Sequence, residues 1–393
     1  MHTTTTMIHA VTRTALRAPL LLALLSPLQM AAAATPATRA IPAAPVKAAM
    51  PAPLPAAHVE AVRQMLSVVK GETLLQAAVR DNPALRPSQQ ALFKHLFATT
   101  TPQRQQELIL RALARHLTLE EARSIAEAYA TAPGQRALAL PAGAAQSDDV
   151  AAFNALPPAL LLSGAVKAAR PAIEQAANEW GADALHKLTE TAVAVARLTI
   201  GDINRVDEYS APVSIQYWST NTGVAAADEL ALAMVVCAVK SAHANRELLR
   251  TVKEMAWGEM LWPANLASPE KVASSLRRLD LVEVAAGRFV TEQRASVQQA
   301  NDSFDKIDMP FDTGHVADAA KSVLPVVAMV DRFEKAQDAI IPAQRAILAF
   351  AAERPGQFSV KNDKLVIANK ADERTFAALN KKLVAARALQ SAK

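Results

Sequence analysis

A single cysteine, Cys237, stands in 393 residues, so no disulfide can form within the chain and packing alone must hold the fold. It sits among Met234, Val235, Val236 and Val239. Apolar surroundings raise a thiol's pKa, which makes Cys237 a core residue and not a nucleophile. Glycine is scarce at eleven residues, and none are arranged as a phosphate cradle. Aromatic residues make up 4 %, too few for platforms that stack bases or sugars. The formal charge of +5 is a mild excess without a basic patch, so no nucleic-acid partner is expected. No apolar run suits a bilayer, which takes about 20 residues. Residues 18–28 are too short, and residues 224–239 carry Asp228 and Glu229. Motifs of local chemistry are missing as well: there is no G-x-S-x-G, S-x-x-K or H-E-x-x-H. Ser163-Gly164 follows a leucine run but lacks the preceding glycine.

What is present begins with an export pattern. Arg13 and Arg17 precede the apolar residues 18–28, and Ala31-Ala32-Ala33-Ala34 then offers several A-x-A frames. This is the layout of a Sec signal peptide over residues 1–34, cut near Ala33 or Ala34. It predicts a periplasmic or secreted protein with no transmembrane span in the mature chain and a formal charge of +3 once both arginines leave. No cysteine stands at the cleavage site, which excludes a lipid-anchored lipoprotein. The Thr-rich, acid-free start also fits a mitochondrial transit peptide, but the compact apolar core and alanine run favour Sec. Residues 35–57, with six prolines among alanines, read as an extended linker.

The remainder reads as all-α: helical hairpins in two domains, residues 58–140 and 148–393, with one small hairpin late in the chain. Val62, Met65, Leu66 and Val69 share one helical face. Thr101-Pro102 and Thr118-x-x-Glu121 mark helix starts, the second as a capping box. Pro133-Gly134 and Pro263 read as stops. A weak point is expected at Gly287, and breaks near Pro325 and Pro342. Around Pro212, the alternation of Val213, Ile215 and Tyr217 suggests a short strand or extended loop. A turn at Asn362-Asp363 pairs Val360 with Leu365 and Phe358 with Ile367, giving a β-hairpin over residues 358–367.

Residues 117–138 read LTLEEARSIAEAYATAPGQRAL. This resembles the signature of a bacterial exported family, domain of unknown function 2059. There a capped helix with an acidic first turn leads to an aromatic residue and then a small-Pro/Thr-Gly-Gln/Lys stop. Thr118, Glu120, Glu121, Tyr129, Pro133, Gly134 and Gln135 stand in those places, while Ala128 replaces a second bulky aromatic. The resemblance covers residues 58–140. It implies a small helical module in the periplasm of a Gram-negative bacterium and implies no reaction.

Candidate chemistry is sparse. His116, His186 and His243 each have a glutamate four residues on: Glu120, Glu190 and Glu247. One helical face would carry each pair, but zinc needs three or four ligands, so surface pairing is expected and no metal or cofactor is assigned. Asp148-Asp149 favours a helix N-terminus. The aromatic patch Tyr217, Trp218, Trp257, Met260 and Trp262 is the candidate surface for a partner, a lipid or a glycan, against a core cluster as its ordinary role. The absence of recognisable catalytic or cofactor motifs points to a non-enzymatic envelope component that binds another protein. The alternatives are a module for a lipid or apolar ligand and a hydrolase of cell-wall polymer.

Overall fold

The computed structural model describes residues 54–140, 147–205 and 220–391. The leader, nearly all of the linker, the Val213–Tyr217 alternation and Trp218 lie outside them. The described chain is helical throughout except for one two-stranded sheet, as the sequence predicts.

Short helices come first: α1 (Ala56–Val68), α2 (Gly71–Arg80), α3 (Pro87–Thr99), α4 (Pro102–Ala114), α5 (Leu119–Tyr129), α6 (Ala132–Ala139) and α7 (Asp148–Asn154). The predicted caps form. Thr101 Oγ1 accepts from the Arg104 amide. At α5 the Thr118 amide donates to Glu121 while the Glu121 amide donates to Thr118 Oγ1, at 2.7 and 3.2 Å. Pro133-Gly134 does not end a helix, however. Tyr129 closes α5, Thr131 caps α6, and Pro133 sits in the first turn, where its missing N–H costs nothing.

The spine is α8 (Pro157–Arg205), 49 residues and about 73 Å long. It runs through Pro171, whose exposed face turns the unpaired carbonyl of Lys167 to water. One side of the spine receives α2, α3, α4 and α5, and it also packs on α9 (Ala225–Glu254). Beyond lie a 3-10 turn at Trp257–Glu259, α10 (Pro263–Leu266), α11 (Pro269–Phe304), α12 (His315–Ser322) and α13 (Leu324–Ala352). The hairpin β1 (Phe358–Lys361) and β2 (Lys364–Ile367) leads into α14 (Lys370–Ser391). Helices α9, α11, α13 and α14 pack successively side by side. Apolar residues from α1 to α14 form one continuous core.

Aromatic stacking joins the early helices to the late ones. Phe93 of α3 meets Phe97, Trp180 of α8 and Phe311 of the α11–α12 loop at 6.1–6.3 Å between ring centres. Beside it the Arg86 guanidinium donates to Asp308 and to the carbonyls of Met309 and Pro310. Between α9 and α11 a buried polar seam is satisfied internally. Ser241 and Gln293 bond reciprocally, and Ser296 donates to the Cys237 carbonyl.

Three breaker positions depart from expectation. Helix α9 stops at Glu254, before Pro263, because Ala256 takes a left-handed φ of 48°. Pro263 is the first residue of α10. Helices α11 and α13 pass Gly287 and Pro342 unbroken, while the break near Pro325 is present, with Pro325 at the start of α13.

Candidate functional site

A groove open to solvent lies between α13 and α14. Ala339, Ala343 and Ala346 on one helix face Ala385 and Ala386 on the other, with Pro342, Leu379 and Leu389 completing the walls. Alanines make the groove: side chains of one carbon leave two adjacent helices unable to fill the space between them. Ile340, Ile347 and Leu383 of the same two helices are buried in the core. The groove has a volume of about 590 Å³ and opens to solvent. Among the described residues Lys382 is its one charged lining residue, and no carboxylate lines it. Pro342 lacks an amide hydrogen, so the helix leaves the Asp338 carbonyl without its usual donor one turn away. The alanines of both helices are plain in the sequence, but the gap between them is not, since it depends on which alanines meet.

The aromatic patch comes together only in part. Met260 is fully buried, and Trp257 is half-buried with its indole N–H donating to the buried Gln344. Trp262, at 40 % exposure, is the described member with open surface. The described members thus serve mainly as core at the α9–α10 corner. Tyr217 and Trp218 lie outside the described residues.

Of the three His–Glu pairs, one forms. His116 falls beyond the end of α4, off the helix that carries Glu120. In α9, Glu247 pairs with Arg250 and His243 is exposed. His186 Nε2 stands 3.3 Å from Glu190 Oε1 on α8. A partner invisible to local spacing completes this group: His315 Nε2, at the start of α12, lies 2.9 Å from His186 Nδ1. Burial, and then the facing imidazole, hold His315 below the ordinary histidine value. Among the described residues no group of three or more His, Cys, Asp or Glu side chains converges as a metal cage.

The remaining candidates are structural. Burial pushes the Cys237 thiol up, as the sequence predicts. Asp149 accepts from Ser147 and Arg136, which hold its carboxyl below the usual range at the start of α7. The family-like residues have defined work: Tyr129 packs edge-on against Phe153 at 4.9 Å, and Gln135 donates to the Tyr129 carbonyl at 2.7 Å. No family model, curated protein or solved structure matches this chain.

Proposed function

We propose that this chain is an exported, non-enzymatic component of a bacterial cell envelope that binds another protein by receiving one of its helices between α13 and α14. The observation that carries the reading is the open, apolar, alanine-lined groove with Lys382 at its edge. Along α14 it extends from Leu379 to Leu389, roughly 15 Å or three helical turns, a length suited to the i, i+3/i+4, i+7 anchors of an amphipathic helix. Small walls let a second backbone approach closely. Lys382 selects an acidic residue beside the apolar stripe. Export rests on the leader-like residues 1–34, and the likeness of residues 117–138 to the exported family of unknown function supports the same compartment.

The test is a photo-crosslinking amino acid at Ala343 or Ala385 in the full chain, in intact cells, with the exposed position Val284 as reference. Discrete protein adducts at the two groove positions, abolished when Ala386→Trp fills the groove, are expected. Equal adducts at Val284, or adducts that survive Ala386→Trp, remove the reading. The same groove also fits a second reading, an apolar ligand with an anionic head on Lys382. Native mass spectrometry showing a small molecule lost in Ala386→Trp, with no protein adduct, favours that one.

A further inference from the structure

Two histidines from distant parts of the chain meet on the surface beside the spine. His186 projects from the middle of α8, and His315 opens α12, 129 positions later. Their rings are tilted by only 24°, with centres 4.7 Å apart, and the facing nitrogens stand 2.9 Å apart. Glu190 holds the other nitrogen of His186. A carboxylate on the far nitrogen is the arrangement that orients metal-binding imidazoles, because it keeps the ring proton on that side and leaves the near lone pair free. The local field is acidic. Glu190 and Asp318 act on His315, while Lys187 and Lys321 are engaged by Asp183 and Asp318.

We propose that His186 Nδ1 and His315 Nε2 form a two-imidazole site for a borderline divalent transition metal of the nickel or copper class, with water filling the other positions. Two nitrogens 2.9 Å apart subtend about 90° at an ion bound at about 2.05 Å. That is the angle of neighbouring positions in square or octahedral coordination, and it is tighter than the tetrahedral angle zinc prefers. Two rings held in this way have centres roughly 4.5 Å apart, close to the 4.7 Å found. Binding needs no net loss of a proton. The His315 ring moves its hydrogen from Nε2 to Nδ1, both imidazoles stay neutral, and the metal replaces the hydrogen bond between them. The ion thereby staples α12 to α8.

Nickel(II) titrated calorimetrically into the full-length protein tests this directly, with His186→Ala, His315→Ala, His315→Gln, Glu190→Gln and the exposed His243→Ala compared under one condition. One nickel equivalent is expected to weaken at least tenfold in each His186 and His315 variant and to persist in His243→Ala. Glu190→Gln should weaken it by about tenfold through the orientation of His186. Circular dichroism identifies the folded variants, and His315→Gln keeps a polar side chain should either alanine variant fail to fold. Nickel binding of unchanged strength in a folded His186 or His315 variant overturns the site. So does a wild-type chain that takes up no nickel.

Discussion

Gly134 shows how one residue's role depends on what lies against it. A Cβ added there would stand 2.6 Å from the Tyr129 Cα and 2.7 Å from the Ala128 carbonyl oxygen. Both are backbone atoms and cannot swing aside. Gly134→Ala is therefore expected to cost about 1–3 kcal/mol by forcing α6 away from the end of α5. Urea unfolding followed by circular dichroism reads this as a lower midpoint, and an unchanged midpoint would mean that the two helices separate without penalty. The neighbouring residues serve the same joint. Thr131 caps α6 and Gln135 bonds back to Tyr129. Locally, Pro-Gly suggests a stop, because proline cannot continue a helix and glycine is favoured just past a helix end. The close approach to Tyr129 lies outside that local pattern. Thr118 and Glu121 are the opposite case. Their reciprocal bond spans three residues and is legible from the letters alone, and the Thr118 amide holds the Glu121 carboxyl below its usual range.

At the scale of elements, the hairpin follows its sequence and several helix limits do not. Asn362 and Asp363 have φ of 52° and 56°, the left-handed pair of a type I′ turn, and the register is the predicted Phe358↔Ile367 and Val360↔Leu365. Only Phe358 is buried, against Phe350 and Phe376, while Val360 is largely exposed. Asp363 pays for its backbone angle with a Cβ that glycine lacks. Asp363→Gly should raise stability by up to about 1 kcal/mol. A higher melting temperature is the expected reading, and a lower one would place the turn's value in the aspartate side chain. Proline behaves less predictably. Pro171 and Pro342 ride on exposed helix faces, so the lost hydrogen bonds leave no buried carbonyl and the helices continue. Which face a proline occupies is set by packing partners far along the chain.

Across the whole molecule, α8 ties the early helices to the late bundle. Phe93, 1 % exposed, sits where α3, α8 and the α11–α12 loop converge. Phe93→Ala should cost about 3–5 kcal/mol, and tryptophan fluorescence and far-UV circular dichroism should report one shared unfolding transition in the wild-type chain. Two separated wild-type transitions would show that the helices on either side of α8 unfold independently. Gly223, with φ of +78°, makes a second joint, since a Cβ there would run into the His95 ring. Neither joint is visible in apolar periodicity, which marks the face a helix buries but not the element it meets. Helical class, the capping box and the hairpin register were legible because their interactions span a few neighbouring residues. The α13–α14 groove, the Phe93 cluster and the His186–His315 contact arise from chain folding over tens to hundreds of residues, where side-chain size and shape decide which surfaces close and which stay open.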